Sequence, residues 1–358
     1  MILLGSTGSI GVNTLKVAKQ NGIDVEVLVA GKNIELLNKQ IKEFSPKYVV
    51  VQDKSSVDSV HHDKVYFGED GVLEVLNKAN SKLVVNSLVG FAGLKPTLEA
   101  VKLNKKIALA NKESLVVGGE FIDTTNITPI DSEHFGLWYL LGDKEISSMT
   151  ITASGGSFRD TPLEKLQNVT VKEALNHPNW SMGKKITIDS ATMVNKLFEL
   201  LEARWLFDCE KLDAVIETKS IIHALVNFKD GSSTAHIAGV DMKLPIAYAV
   251  LDKVDYEVLK PIDLVEVGSL EFRKIDSKRY KIWSIKDEIL KNPHLGVVIN
   301  ASNEVAIERF FSGSIGFLEI TKLILRAYEE FNKVRANSVE ELFLIDREVR
   351  EFSKKCNF

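Results

Sequence analysis

Several things are scarce in this chain of 358 residues, and each scarcity excludes something. There are two cysteines, Cys209 and Cys356, with no CxxC spacing and no histidines at zinc-ligand spacing, so neither a disulfide framework nor a zinc finger is expected. So few thiols fit a reducing compartment, and the cytoplasm is the expected location. No apolar stretch reaches the roughly 18 to 20 residues that span a bilayer. The opening Met1-Ile2-Leu3-Leu4 runs directly into glycines without a basic segment, so a secretory leader is not expected. Excess charge is also missing: 45 basic residues face 49 acidic ones, a formal net charge of −4. That balance gives no electrostatic case for nucleic acid or for an anionic membrane. An anionic substrate must therefore be held by a local pocket.

What is present is an ordinary globular composition, 45% hydrophobic and 26% charged, in a chain long enough for two or three domains. The first third alternates apolar runs with helical patterns. Strands are expected at Ile2-Leu4, Val25-Ala30, Tyr48-Val51, Leu83-Asn86 and Ile107-Ala110, with helices between them. That alternation predicts βαβ units and a parallel sheet. The middle third changes to strands at Met149-Ala153, Ala214-Glu217 and Ser233-Ile237, with Asp230-Gly231 as a hairpin signal. One prominent helix is expected from Ala191 to Leu206. Lys253 to Lys281 reads as an irregular, charged connecting arm. Val305-Phe311, Leu318-Phe331 and Val339-Phe352 read as helices of a C-terminal helical domain. The expected fold is α/β: a Rossmann-like dinucleotide domain over 1–130, a central α+β domain over 131–253, an arm over 254–280, and a helical domain over 281–358.

Gly5-Ser6-Thr7-Gly8-Ser9-Ile10-Gly11 lies between the first strand and the first helix. Glycines there let the backbone turn tightly and approach a pyrophosphate at a helix N-terminus. The spacing is GxxGxxG rather than GxGxxG. An NAD site commonly carries an acid about 20 residues on, for the ribose 2′-hydroxyl. Here the stretch reads Val29-Ala30-Gly31-Lys32-Asn33, without an acid. Lys32 and Asn33 suit a 2′-phosphate, which favours NADPH.

Asp131 and Glu133 at i, i+2 in an extended segment point the same way and suit a hard cation such as Mg²⁺ or Mn²⁺. Such pairs are also common on solvated surfaces. In Asp189-Ser190-Ala191-Thr192-Met193-Val194-Asn195-Lys196-Leu197-Phe198-Glu199, Ser190 is placed to cap the helix. Asn195, Lys196 and Glu199 then share one side of it, where they either bind phosphate and metal or form a surface ion pair. Ser154-Gly155-Gly156-Ser157 follows a strand and offers an anion-binding nest. His177-Pro178-Asn179-Trp180-Ser181-Met182-Gly183 has the composition of a lid. Asn111-Lys112-Glu113-Ser114 ends a strand of the parallel sheet, at the edge where ligands bind. A metal-independent NADPH dehydrogenase, and a non-catalytic NADPH-sensing regulator, remain open on these residues alone.

Taken in order, the glycine loop, Ala30 to Asn33, Ala110 to Ser114, Asp131 to His134, His177 to Gly183, Asp189 to Lys196 and Asn300-Ala301-Ser302-Asn303-Glu304 resemble the motif series of the 1-deoxy-D-xylulose 5-phosphate reductoisomerase family. The resemblance runs from residue 1 to about 350. It implies a homodimeric enzyme of isoprenoid precursor biosynthesis that rearranges and reduces a sugar phosphate with NADPH and Mg²⁺ or Mn²⁺. It further implies that Thr7, Gly8, Ser9, Ile10, Gly31, Lys32, Asn33, Asn111, Glu113 and Gly183 contact NADPH. Asp131, Glu133 and Glu199 would hold the metal. Lys112, Ser132, Glu133, Ser154, His177, Trp180, Ser190, Asn195, Lys196 and Glu199 would surround the substrate. Lys112, Asp131, Glu133, His177 and Glu199 would carry the catalysis. Two positions depart from the family pattern: Ser157 stands where proline is usual, and Leu197 where glycine is usual. Leu197 is expected to affect how closely its helix approaches the substrate loop.

Overall fold

The computed structural model describes residues 1–358. In chain order the elements begin with β1 (Ile2–Leu4), α1 (Ser9–Gln20), β2 (Val27–Ala30), α2 (Ile34–Phe44), β3 (Tyr48–Val51), β4 (Val65–Phe67) and α3 (Gly68–Lys78). Next come β5 (Leu83–Asn86), α4 (Leu94–Lys102), β6 (Lys106–Leu109), α5 (Lys112–Gly118), β7 (Ile127–Pro129), α6 (Ser132–Leu140), β8 (Ile146–Ala153), α7 (Val171–Ala174) and α8 (Lys184–Thr192). They continue with α9 (Val194–Phe207), β9 (Leu212–Glu217), β10 (Ile222–Phe228), β11 (Ser233–Ile237), α10 (Lys243–Val250), α11 (Leu264–Val267) and β12 (Phe272–Lys274). The last are α12 (Lys286–Lys291), α13 (Gly296–Phe311), α14 (Phe317–Phe331) and α15 (Val339–Lys355). Two compact units result: residues 1–114, 122–135 and 241–260, and residues 115–121, 136–240 and 261–358.

The first unit is built on a parallel sheet in the order β4-β3-β2-β1-β5-β6-β7. Its inner strands are nearly continuous apolar runs because helices cover both faces, and Ile2, Leu3, Leu4, Val49 and Val50 are fully buried. The amphipathic α1 and α2 contribute Leu15, Val17, Ala18, Leu37 and Ile41 to this core, and α10 adds Ile246, Ala247 and Val250. The order reverses between β1 and β5, which opens a crevice beyond their carboxyl ends.

The second unit holds a mixed sheet in the order β11-β10-β8-β9-β12. Only β8 and β9 pair in parallel; the other pairs are antiparallel. The β10–β11 hairpin turns at Asp230-Gly231, where Gly231 takes a left-handed φ of +87°. Helices α13, α14 and α15 pack with one another. A Cβ on Gly296, at the start of α13, would lie 1.9 Å from the Val116 carbonyl oxygen, so only glycine permits this approach.

Three local expectations fail. The single helix expected over Ala191–Leu206 is broken by Met193, whose φ is +69°, into α8 and α9. Ser190 therefore lies inside the last turn of α8 and caps nothing at an N-terminus. Asp131 and Glu133 are not in an extended segment: α6 begins at Ser132, and the Phe135 N–H donates to the Asp131 carbonyl oxygen at 2.8 Å. Finally, α13 starts at Gly296 rather than near Val305. It is buried on nearly every side, Asn300, Ser302 and Asn303 included, and so lacks the one-sided periodicity that marks a surface helix. No helix is long and apolar enough to cross a membrane.

Candidate functional site

In the first unit the relevant loops lie at the carboxyl ends of β1, β2, β5 and β6. Gly5 has a left-handed φ of +89°, and a Cβ there would lie 2.6 Å from the Ser87 carbonyl oxygen. A Cβ on Gly11 would lie 2.2 Å from the Gly5 carbonyl oxygen. The loop is therefore folded back onto the first turn of α1, with Gly8 at its cap and Thr7, Ser9 and Ile10 around it. The N–H groups of that turn form the positive end of the helix. Beyond β2, Asn33 Oδ1 accepts from the Leu36 N–H at 3.1 Å and caps α2, with Gly31 and an exposed Lys32 before it.

Asn111 is fully buried. Its Nδ2 donates to the carbonyl oxygens of Leu88 (2.8 Å) and Gly90 (2.9 Å) and to Glu113 Oε2 (3.2 Å). Its Oδ1 accepts from the Ser114 N–H at 3.0 Å. The side chain thus braces the loop after β5 against α5, and a ligand at this edge meets the braced backbone. Lys112 is almost wholly buried and ion-paired with Asp131. Ser132 Oγ donates to Glu133 Oε2 at 2.5 Å.

In the second unit, β8 leads into Ser154-Gly155-Gly156-Ser157, whose two glycines have φ of +88° and +71°. A Cβ on Gly156 would lie 2.6 Å from the Ser190 carbonyl oxygen and the Ala191 Cα. That glycine, rather than position 197, sets how closely the loop approaches α8. Leu197 points into the core with no exposure, and Ser157 Oγ donates to the Ala174 carbonyl oxygen at 2.7 Å. Ser154 Oγ is 2.9 Å from His177 Nε2, and Ser190 Oγ is 3.3 Å from the same nitrogen. Trp180 meets the His223 ring edge-on at 6.2 Å. Burial and the nearby Arg159 guanidinium lower the His177 pKa to about 4. Burial and the neighbouring His236 lower that of His223 to about 4. On α9, the fully buried Glu199 is ion-paired with Lys196 and accepts from Asn195 Nδ2.

Further residues of this unit brace these side chains. Arg159 Nη1 donates to the carbonyl oxygens of Ser154 (2.7 Å) and Thr218 (3.0 Å). The Tyr280 hydroxyl donates to the Gly155 carbonyl oxygen at 2.7 Å, across 125 residues of chain. Asn179 Nδ2 donates to the Thr218 carbonyl oxygen (3.0 Å) and to Ser220 Oγ (2.7 Å), tying the lid to the β9–β10 turn. Buried Asp189 accepts from Lys185 Nζ (2.9 Å) and Asn303 Nδ2 (2.7 Å), tying α8 to α13. Asn179, Asp189 and Asn303 lie inside the motifs quoted above and Arg159 lies two residues beyond Ser157, so their places, though not their partners, are legible; Tyr280 has no such signal.

A glycine-shaped loop at the switch point of a parallel sheet, with no acid after the second strand, defines a dinucleotide site suited to NADPH. The serine–histidine loop and the buried ammonium–carboxylate pair of the other unit suit a small anionic substrate. The class is thus a nicotinamide-dependent oxidoreductase of a small anionic metabolite. Similarity to known proteins gives the particular family. The 1-deoxy-D-xylulose 5-phosphate reductoisomerase family model matches residues 1–119, and the models for its C-terminal domains match residues 127–207 and 237–352. The 1-deoxy-D-xylulose 5-phosphate reductoisomerase of Nautilia profundicola is 58% identical over 360 residues, covering 98% of both chains. That of Helicobacter pylori is 50% identical, again over 98% of each. Among solved structures, a DOX-P reductoisomerase in complex with NADPH, fosmidomycin and magnesium superposes with a TM-score of 0.91 at 32% identity, covering 99% of this chain and 97% of that one. The Zymomonas mobilis enzyme in complex with NADPH gives 0.88 at 32% identity, with 98% and 97% covered. The chain belongs to the 1-deoxy-D-xylulose 5-phosphate reductoisomerase family.

Proposed function

We propose the following division of roles for the family's activity in this chain: the NADPH- and divalent-metal-dependent conversion of 1-deoxy-D-xylulose 5-phosphate to 2-C-methyl-D-erythritol 4-phosphate. The loop Thr7-Gly8-Ser9-Ile10 and the start of α1 take the pyrophosphate, because Gly5 and Gly11 keep the backbone clear of side chains there. Gly31, Lys32 and Asn33 take the 2′-phosphate. Asn111, through the backbone it braces, Glu113 and Gly183 complete the cofactor contacts.

Asp131, Glu133 and Glu199 are the ligands of Mg²⁺ or Mn²⁺; three carboxylates are the donor set that such hard cations select. When bound, the ion acts as a Lewis acid on the ketone and a neighbouring hydroxyl, and NADPH supplies the hydride. The protein's own groups hold and shield the substrate. Ser154, Ser190, Asn195 and Lys196 bind its phosphate, and Ser132 and Lys112 hold the reacting end. Trp180 closes the lid and excludes water, while His177 orders the loop around the phosphate. Remote phosphate binding then positions the reacting carbons.

The observation that carries this reading is that each unit keeps a buried ammonium beside a carboxylate, Lys112 with the partly buried Asp131 and Lys196 with the buried Glu199. Such pairs contribute little net stability after desolvation, so their retention points to chemistry. A homodimer is supported by the apolar surface at and just beyond edge strand β11, where Ile237 and Val240 are exposed and the exposed Tyr139 meets the His236 ring edge-on. A cytoplasmic setting fits two free thiols and a cofactor kept reduced.

The test follows NADPH oxidation with 1-deoxy-D-xylulose 5-phosphate, before and after Mg²⁺ is restored to chelated protein. Oxidation requiring both substrate and metal is expected. Oxidation without metal would point to a metal-independent dehydrogenase. NADPH binding without any turnover would point to a regulator.

A further inference from the structure

His177 has two faces, and the hydrogen bonds on each fix its protonation. Its Nδ1 receives the backbone N–H of Asn179 at 3.1 Å and that of Trp180 at 2.9 Å. A backbone N–H can only donate, so Nδ1 accepts and bears no proton. In the neutral ring the proton then resides on Nε2. Nε2 is 2.9 Å from Ser154 Oγ and 3.3 Å from Ser190 Oγ.

Ser154 Oγ also accepts from the Gly156 N–H at 3.1 Å. A hydroxyl has one proton and two acceptor sites. With Gly156 and His177 donating, both acceptor sites are used and the hydroxyl proton must point elsewhere; Ser190 Oγ, at 3.5 Å, is beyond the usual O–H···O distance, so a ligand oxygen is the better acceptor. The backbone on either side cannot adjust, because Arg159 holds the Ser154 carbonyl and Tyr280 holds the Gly155 carbonyl. The lid side is equally fixed, since Asn179 is anchored to Thr218 and Ser220.

We propose that His177 is a positioning residue held as the Nε2–H tautomer, whose Nδ1 fastens the lid turn and whose Nε2–H aims the Ser154 hydroxyl proton at the substrate phosphate. The proposal rests on the assignment of Ser154 to the phosphate. It excludes His177 as a general base, because Nε2 already bears a proton and Nδ1 is occupied by two donors. A proton on Nδ1 would face those same two N–H groups. Burial and Arg159 disfavour the charged ring as well.

The two faces can be separated by substitution. In His177→Asn the amide oxygen can accept from the N–H groups two and three residues on, as asparagine does in turns, but the side chain is too short to reach Ser154. In His177→Gln the amide can still donate to Ser154 but the turn is lost. His177→Asn is expected to raise the KM for the sugar phosphate about tenfold with kcat largely kept, the value of one hydrogen bond to a charged ligand. His177→Gln is expected to keep KM and lower kcat about tenfold through lid disorder. The tautomer is read directly in ¹⁵N-labelled wild-type protein, by long-range correlation of the ring nitrogens, with and without inorganic phosphate. A protonated Nε2 and bare Nδ1 from about pH 8 to about pH 5 support the proposal. A protonated Nδ1, or the same KM and kcat pattern in both variants, overturns it. If the wild type shows the expected tautomer but no turnover, the assigned substrate fails and the tautomer stands.

Discussion

The two units solve the problem of holding an anionic ligand by opposite means. The first shapes its backbone: Gly5 and Gly11 remove side chains, the start of α1 supplies N–H groups, and Asn111 braces a loop from behind. The second uses side chains, held partly by neighbours in sequence and partly by Tyr280 and Asn303, more than a hundred residues from their partners. Arg159 and Tyr280 hold the Ser154-Gly155 backbone, the Asn179 N–H donates to His177, Asn303 holds Asp189 beside Ser190, and Asn195 and Lys196 hold Glu199. A backbone site depends on residues that are absent, whereas a side-chain site depends on residues that are present and paired. The two should therefore fail differently.

The largest difference should appear in Glu199→Gln, which removes a buried charge from the second unit. Turnover at saturating substrate is expected to fall on the order of 10²-fold or more, by analogy with losing one electrostatic stabiliser. Near-normal turnover at limiting metal would remove Glu199 from the metal site.

Acid should also act on the second unit, where the perturbed histidines His177 and His223 reside. The folded pKa of His223 lies near 4, below its ordinary 6.5, so the unfolded chain takes up the proton first as pH falls. Its contribution is complete above pH 6.5 and is lost progressively towards pH 4, up to about 3 kcal/mol. His177 acts in the same direction but less, being nearer solvent. Denaturant melts from pH 7.5 to 4.5 should show this loss, and His223→Gln should flatten it. An unchanged slope in that variant would contradict the assignment.

Gly5→Ala tests the backbone solution. The added Cβ would strike the Ser87 carbonyl at a left-handed φ, for a cost of about 1–3 kcal/mol, together with weaker NADPH binding. Gly183→Ala is the control: a Cβ there meets nothing within 4 Å, so stability should hold. Equal melting midpoints for the two variants would break the comparison. The smallest effect is expected at exposed Lys32, where Lys32→Ala should weaken NADPH about tenfold while sparing NADH. Equal losses for both cofactors would place the 2′-phosphate elsewhere.

The units also differ in how much the sequence disclosed. Strands β1, β2, β3, β5 and β6 of the parallel sheet are readable because each is a short apolar run, whereas the three-residue edge strands β4 and β7 are too short to stand out. In the second unit the chemistry-bearing residues were readable as motifs, yet their geometry was not. Met193 adopts a left-handed conformation with no glycine to announce it, so α8 and α9 read as one helix. Asp131 and Glu133 suggested a strand-like pair because the apolar stretch of α6 has almost no polar face. Helix α13 is legible only in part because the buried Asn300, Ser302 and Asn303 mask its apolar character. Tyr280 reaches Gly155 across 125 residues, where no local pattern can signal it.

The central claim is that cofactor binding and chemistry are carried by separable groups. It is tested most directly by titrating NADPH into Glu199→Gln and measuring turnover of the same preparation. The account predicts unchanged NADPH affinity with turnover nearly abolished. A parallel loss of both would contradict it, since the carboxylate would then belong to the cofactor site or to the fold itself.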